Sequence, residues 1–117
     1  MHRFKELIAW QKSRALVKVI YNYTASFPKE EIYGITSQIR RASVSIPTNI
    51  SEGCGRRTNA QFLNFLDYAL GSSIEVENLL ILSNDLNFIN EENYKLLEAQ
   101  CLEIQRLIYS LISKFSN

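Results

Sequence analysis

Residues 38–57, QIRRASVSIPTNISEGCGRR, are the stretch around which the rest of the chain is interpreted. Polar residues recur there at intervals of three and four, which places them in one band of a helix: Gln38, Arg41, Ser45, Asn49, Glu52 and Arg56. A neighbouring band is apolar or small: Ile39, Ala42, Ile46, Ile50 and Gly53. Two such bands are typical of a helix that packs one face on a core. The stretch predicts a helix from about Ile35 to Cys54.

Proline and glycine shape this second helix of the chain. Pro47 lies inside the pattern, where its missing N–H and its clash with the carbonyl of Ser43 predict a bend. The hydroxyl of Ser43 or Ser45 is expected to bond the freed backbone. Gly53 and Gly55 predict a left-handed stop. We therefore expect helix two to bend at Pro47 and to end at the glycines.

Helical patterns flank this stretch on both sides. Residues 7–26 carry an apolar repeat, and Pro28 ends it by disfavouring helical geometry at the preceding residue. Residues 59–86 follow a capping-box sequence, in which Thr58 accepts a hydrogen bond from the first helical turn and Gln61 reaches back. The sequence thus predicts helices one and three.

The fourth pattern follows Asn90, a favoured helix cap, and has apolar residues every three or four positions as far as Phe115. Long helices joined by short connections lie antiparallel to their neighbours. The sequence therefore predicts one all-α domain, residues 1–117, folded as an antiparallel up-down-up-down four-helix bundle with helix two bent at Pro47.

Helices one, three and four also carry a second row of apolar residues beyond what a single bundle core requires. Contiguous apolar surface on a protein usually marks an interaction site. We therefore expect the chain to form a homo-oligomer whose interfaces bury these rows.

Charge is distributed unevenly along the chain. Residues 1–58 contain ten Lys and Arg against four Asp and Glu, a net charge of +6, whereas residues 59–117 contain three against eight, a net charge of −5. In one interpretation the basic and acidic helices neutralise each other by packing. In the other, a basic surface meets a polyanion. The expected contacts to nucleic-acid phosphates are then Arg40, Arg41, Arg56 and Arg57, with lysines of helix one.

The polar band of helix two also admits a structural interpretation. Gly71 in the middle of helix three costs about 1 kcal/mol of helix stability relative to alanine, and close approach of another helix would explain it. Glu75 would then meet Arg41 or Asn49 and fix the register of the bundle. The predicted structural polar network consists of Gln38, Arg41, Asn49, Glu52, Ser72 and Glu75.

The residues that most enzyme sites need are missing from the sequence. The one histidine, His2, lies at a terminus that we expect to fray. Without further histidines the chain lacks the Glu-x-x-His pairs of di-iron bundles, the clustered ligands of zinc sites and a base beside a nucleophile. Residues 53–56 lack the strand and the Lys-Ser/Thr pair of a phosphate loop. We therefore predict a protein that is not an enzyme, with no catalytic residue, no metal site and no cofactor.

Cysteine content and hydropathy indicate the compartment. Cys54 and Cys101 fit buried, reduced thiols. The first residues, MHRFKELIAW, contain no apolar run long enough for a signal peptide, and no segment is long enough to span a membrane. We expect a cytoplasmic protein with no membrane partner.

Three segments carry a resemblance to a known family: FKELIAWQKS, FPKEEIYGITSQIRRASVSIPTNISEGCGR and FLDYALGSSIEVE. They resemble the four-helix-bundle family named after proteins encoded in intervening sequences of bacterial 23S ribosomal RNA genes, over nearly the whole chain. The resemblance implies a cytoplasmic bacterial protein, an antiparallel bundle and a ring-shaped homopentamer. The family's recurring residues fall here on Trp10, Gln38, Arg41, Pro47, Asn49, Glu52, Gly53, Arg56, Gly71, Ser72 and Glu75.

The bundle is also similar to the accessory variability determinant of diversity-generating retroelements, a pentamer that binds nucleic acid and reverse transcriptase. No catalytic activity comes with either resemblance. Two functions therefore stay open. The leading hypothesis is a homo-oligomer that binds structured RNA, or a nucleic-acid-bound protein, through basic residues of helices one and two. The alternative is a protein-interaction scaffold with no nucleic-acid role.

Overall fold

The computed structural model describes residues 2–116, most of which lie in four long helices. The helices are α1 (Ile8–Thr24), α2 (Ile35–Cys54), α3 (Asn59–Asp85) and α4 (Glu91–Phe115). Short 3-10 turns precede α1 at Phe4–Glu6 and α2 at Lys29–Glu31, and the described residues form no strand. The predicted all-α fold is confirmed, and α2 has the predicted bounds.

Each long helix packs against two others. Both α1 and α3 contact α2 and α4, whereas the backbones of the diagonal pairs do not approach each other closely within the described part of the chain. Only four residues connect α2 to α3, and five connect α3 to α4. Connections this short make the joined helices antiparallel. The molecule is a rod with extents of 43 × 24 × 20 Å.

One apolar stripe of each helix forms the core. On α2 the predicted apolar band is buried along its whole length, from Ile39 to Gly53. On α4 the buried stripe is Leu97, Cys101, Ile104 and Ile108, as the spacing predicts. Burial of one Leu or Ile side chain contributes about 1.5–3 kcal/mol. These stripes therefore determine which face of each helix turns inward.

The predicted caps begin α3 and α4. Thr58 Oγ1 accepts a 3.1 Å hydrogen bond from the N–H of Gln61, and Asn90 Oδ1 accepts one of 2.8 Å from the N–H of Asn93. The return bond of the capping box differs from the prediction, because the Gln61 side chain accepts from the N–H of Arg57, at 3.3 Å, instead of that of Thr58. The caps place both helix starts at the predicted residues.

Both glycine predictions were wrong. No glycine of the described chain has a positive φ, and Gly53 and Gly55 therefore do not form a left-handed stop. A Cβ on Gly53 would lie 2.8 Å from Cβ of Phe65, so Gly53 lets α2 and α3 approach closely. Gly71, where such an approach was expected, has open space instead, because a Cβ there would meet no atom within 4 Å. The close approach therefore lies at the end of α2, not in the middle of α3.

Pro47 lies inside α2 as predicted, while the bend itself stays a prediction. The serine hydroxyls expected to satisfy the backbone near it are bonded elsewhere. Ser43 Oγ donates to the carbonyl of Arg40, at 2.8 Å, and Ser45 Oγ accepts from the side chain of Asn49, at 2.9 Å. Hydrogen bonds between groups one helical turn apart form instead, because such groups are always within reach of each other.

Candidate functional site

The structure separates the four arginines predicted to contact nucleic acid. Arg40 and Arg41 are successive residues of α2, so their side chains leave the helix about 100° apart. Arg56 and Arg57 follow the end of α2, roughly 20 Å further along its axis at 1.5 Å per residue. The four arginines therefore do not form one patch on a single chain.

Arg40 faces α1 and is half-buried. Its Nε donates a 2.8 Å hydrogen bond to Oγ1 of Thr24, and its guanidinium carbon lies 4.6 Å from the centre of the Tyr21 ring. A guanidinium that is both hydrogen-bonded and stacked on an aromatic ring is held in one orientation. Arg40 thus links α2 to α1, and the two Nη atoms of its guanidinium remain available to bind another group.

Arg41 faces α3 across a groove of about 430 Å³. The groove is lined by Gln38, Arg41, Ala42, Ser45, Ser72 and Glu75. Four of the six residues predicted to form a polar network therefore lie on this one groove. The polar band of α2 and the turn after Gly71 on α3 meet here.

Hydrogen bonds in this groove join α2 to α3. Ser72 Oγ donates to Ser45 Oγ at 2.8 Å. Asn49 Nδ2 donates to Ser45 Oγ and to the Ser45 carbonyl, both at 2.9 Å. Ser45, which belongs to the predicted polar band but not to the predicted network, is thus the residue that connects Asn49 to Ser72.

The charged residues of the predicted network do not pair with one another. Arg41, Glu52 and Glu75 are exposed, and the expected contact of Glu75 with Arg41 or Asn49 is not formed. The ion pairs within residues 2–116 are Arg3–Glu6, Lys12–Glu103 and Lys95–Glu91. The bonded side chains of Ser45 and Ser72 lie between the two helices, whereas the longer charged side chains lie at the solvent-facing rim.

Arg56 and Arg57 lie in the α2–α3 connection at one end of the bundle, and both are exposed. The Arg56 guanidinium carbon is 4.5 Å from the centre of the Phe65 ring. The amino-terminal segment reaches the same end, because the N–H of His2 donates to the carbonyl of Cys54 at 3.2 Å. The end of α4 arrives there too, since the ring of Phe115 lies 4.8 Å from that of His2.

This end of the bundle collects positive charge, and we call it the basic end. It carries the cationic side chains Arg3, Lys5, Arg56, Arg57 and Lys114 and the carboxylates Glu6 and Glu52, a net charge of +3. Sequence reasoning missed Arg3, Lys5 and Lys114 as members of one surface. The predicted topology could have identified this shared surface, because in an up-down-up-down bundle the start of helix one lies beside the ends of helices two and four.

The opposite end collects negative charge, and we call it the acidic end. Asn84 Nδ2 donates to Glu91 at 3.1 Å, and the rings of Phe27 and Phe88 lie 5.6 Å apart, which places the α1–α2 and α3–α4 connections side by side. The charged residues here are Lys29, Glu30, Glu31, Arg40, Asp85, Glu91, Glu92 and Lys95, a net charge of −2.

The amino-terminal segment is anchored, although the sequence led us to expect fraying. The His2 ring packs 4.6 Å from that of Phe62 as well as against Phe115. Residues 2–116 contain no group of three or more His, Cys, Asp or Glu side chains that can hold a metal ion. His2 thus serves packing between the first residues and the ends of α3 and α4.

Both cysteines are free and buried, as predicted. Burial raises the pKa of the Cys54 thiol. Burial also raises the pKa of the Cys101 thiol to about 12, with a smaller contribution in the same direction from the nearby carboxylate of Glu77. Since the thiolate is the reactive form, both residues are inert packing groups at neutral pH.

No helix within residues 2–116 combines the length and the apolar character that crossing a bilayer requires.

Comparison with known proteins matches the chain to a family and to solved structures. The family model described as 23S rRNA-intervening sequence protein matches residues 5–110. A solved structure of a protein of unknown function, from the S23 ribosomal protein family of Bacteroides thetaiotaomicron, shares 28% sequence identity with this chain and superposes with a TM-score of 0.82. That match covers 90% of this chain and 98% of the other. No curated protein matches the chain.

Proposed function

The chain belongs to the family of 23S rRNA-intervening sequence proteins, and we propose that it is a non-enzymatic, homo-oligomeric bundle that binds structured RNA, or an RNA–protein assembly, through its basic end. The single observation that carries this proposal is the separation of charge between the two ends of the rod, +3 against −2. A charge separation of this kind orients a molecule toward a polyanion even when its total charge is close to zero.

The side chains of the basic end suit contacts to phosphate. Arg56 and Arg57 are exposed on a short connection between two helices, so their backbone is held while their guanidinium groups reach solvent. The Phe65 ring under Arg56 restricts that side chain, which lowers the entropy lost when it binds. Guanidinium groups bind phosphate oxygens in pairs of hydrogen bonds.

Arg40 and Arg41 have a different place in this proposal. Arg40 serves the contact between α1 and α2, and Arg41 belongs to the groove between α2 and α3. The proposed RNA surface therefore consists of Arg3, Lys5, Arg56, Arg57 and Lys114, with Arg40 and Arg41 outside it.

Oligomerisation would strengthen this surface. One chain offers few phosphate contacts, and affinity that depends on counterion release grows with their number. Closed rings of identical subunits place the same surface of every subunit on the same face. A ring whose axis runs along the bundles would therefore gather the basic ends into one cationic face.

The proposal is tested by titrating a labelled RNA hairpin at several salt concentrations. The double variant Arg56→Ala/Arg57→Ala should bind at least about tenfold more weakly at low salt, and its log–log salt slope should be shallower by about 2 per chain engaged, since two phosphate contacts are lost. The matched control is Lys29→Ala/Lys95→Ala, which removes two cations from the acidic end and should bind like the parent protein.

Several results would contradict the proposal. Absence of RNA binding at low salt is one. Binding that does not respond to salt, or that weakens equally in the two double variants, is another, because either would mean that the basic end is not the contact surface.

The second candidate function is a protein-interaction scaffold without a nucleic-acid role. The observation that favours it is the groove between α2 and α3, where Arg41 and Glu75 are exposed and do not pair with each other. Charged groups of opposite sign on one rim can pair with complementary charges on another protein chain. In this case the polar groove, and not the basic end, would carry the function.

A further inference from the structure

A pocket of about 300 Å³ lies near the acidic end, where the chain passes from α1 to α2. We call it the corner pocket. The lining residues that matter are Phe27, Pro28, Lys29, Ile32, Thr36 and Arg40. It shares no residue with the basic end, so what it binds is independent of the proposed RNA contact.

One wall of the corner pocket is cationic. Arg40 lines it, with Nε held by Thr24 and the guanidinium stacked on Tyr21. Lys29 supplies a second positive charge, and neither cation takes part in an ion pair within residues 2–116. A guanidinium fixed through Nε presents its two Nη atoms side by side, which matches the spacing of two carboxylate oxygens.

A buried hydroxyl lies beside these cations without a hydrogen-bond partner. Thr36 is 2% exposed, and its Oγ1 has no partner among the described residues. A buried polar group left unsatisfied costs about 1–3 kcal/mol, and folded proteins contain few of them. Thr36 lines the corner pocket, but its Oγ1 has almost no accessible surface, so the hydroxyl meets a bound anion only if the side chain changes rotamer.

The remaining wall is apolar. Phe27 and Pro28 form it, and Ile32, which is 48% exposed, stands at the mouth. The volume lies at the lower limit of about 300–1,000 Å³ for ligand pockets, so the occupant is small. The nearby carboxylates do not line the pocket, and that of Glu31 is turned toward α2, where it accepts from the N–H of Ile35 at 3.2 Å.

We infer that the corner pocket binds a small organic monocarboxylate, with its carboxylate at Arg40, Lys29 and Thr36 and its short apolar group against Phe27, Pro28 and Ile32. A phosphate dianion could pair with both cations, but it suits the pocket less well because it would leave the apolar wall exposed to water. The apolar group supplies the favourable burial that a bare anion lacks.

Ligand-observed saturation-transfer NMR with 4-methylpentanoate and benzoate tests this inference at any oligomer size. We expect saturable binding of at least one of the two acids. The corresponding amides have the same shape without the charge and should bind at least about tenfold more weakly. Inorganic phosphate should not compete at equal concentration.

Three variants locate the binding without changing Arg40 or the residues that hold it. Ile32→Glu places a carboxylate at the mouth of the pocket and should weaken binding at least about tenfold through like-charge repulsion. Tyr33→Glu adds the same charge on the next residue, which is 94% exposed and outside the pocket, and should leave affinity unchanged. Thr36→Val keeps the shape, removes the hydroxyl and should weaken binding severalfold.

The inference is overturned if neither acid binds saturably, if the amides bind as well as the acids, or if phosphate displaces them. It is also overturned if Ile32→Glu and Tyr33→Glu behave alike. Because Arg56 and Arg57 are intact in all these variants, RNA binding should not change, and failure of this inference leaves the RNA proposal untouched.

Discussion

Neighbours in space decide what each charged side chain can do, and two successive arginines illustrate this. Arg40 is held by Thr24 and Tyr21, whereas Arg41 lies in a groove with no ion pair. From the sequence we predicted both arginines as equivalent members of one cluster of cations. The 100° turn between successive helical residues assigns one to packing between helices and the other to the solvent-facing rim.

Cys101 offers a pH-dependent test of the core. Its thiol is buried 3.2 Å from the carbonyl of Ser73, and burial raises its pKa from the ordinary value of 9.0 to about 12. As the pH rises, the unfolded chain loses this proton before the folded chain does. Stability is therefore fully present below pH 9 and is lost as the pH rises toward 12. We expect the free energy of unfolding to fall through that interval in urea titrations followed by circular dichroism.

The matched variant for this prediction is Cys101→Ala. It removes one titrating group, so the fall in unfolding free energy should be shallower by up to about 1.4 kcal/mol per pH unit. Tyr94, whose pKa is raised to about 12 chiefly by its hydrogen bond to Glu98, titrates in both proteins and cancels in the comparison. Identical pH slopes in the two proteins would show that the Cys101 thiol is not buried as described.

Gly53 allows a close approach of α2 to α3 near the end of α2. A methyl group on Gly53 would lie 2.8 Å from Cβ of Phe65 and 3.2 Å from a ring carbon of Phe62, so the helices would have to separate. Overpacking of this kind costs about 1–3 kcal/mol. The better helix propensity of alanine offsets at most about 1 kcal/mol of this cost. We expect Gly53→Ala to lower the free energy of unfolding measured in urea.

The same substitution at Gly71 is the control. The added methyl group meets no atom within 4 Å there, so only the propensity gain of about 0.8–1 kcal/mol remains. Gly71→Ala should therefore stabilise the isolated chain while Gly53→Ala destabilises it. Changes of the same sign in both variants would contradict the packing described for Gly53.

The contrast between these glycines shows how far the sequence predicts the elements. Periodicity and caps give the helices and their ends, because local chemistry at Thr58 and Asn90 decides where α3 and α4 begin. Helix approach depends on residues distant in the chain, and Phe65 opposite Gly53 is such a case. The contact of Ser45 with Ser72, 27 residues apart, was missed in detail for the same reason, although the predicted polar band contains Ser45.

At the scale of the whole molecule, opposite charges are separated along a different direction in the structure than in the sequence. The sequence shows a basic half and an acidic half of the chain. In the bundle the separation runs from one end of the rod to the other, because every end collects segments from both halves. The RNA contact surface that we propose therefore differs from the predicted one on helices one and two, and lies at the end where Arg56 and Arg57 meet the first and last residues of the described chain.

Apolar surface gives the whole-molecule prediction. The outward face of α3 and Leu86, which follows its last residue, expose large apolar side chains; those on the helix are Tyr68, Ile74, Ile81 and Leu82. A monomer seldom exposes so many on one helix, and a second copy of the chain that covers them would remove that surface from water. We therefore expect light scattering to give a multiple of the 13.5 kDa chain mass, and five times that mass if the homopentamer implied by the family resemblance is correct.

Variants of α3 test which surface is shared between copies. Ile74→Glu/Leu82→Glu places two charges on the outward face and should reduce the mass to that of one chain, whereas Ser113→Glu on the exposed side of α4 should not. Arg41→Ala separates the two candidate functions, because only an assembly built through the polar groove needs this side chain. The apolar face of α3 is not an interface if the double glutamate variant keeps the parent mass, or if the parent protein is a monomer at micromolar concentration. In either case nothing supports a ring that brings the basic ends of several subunits onto one cationic face.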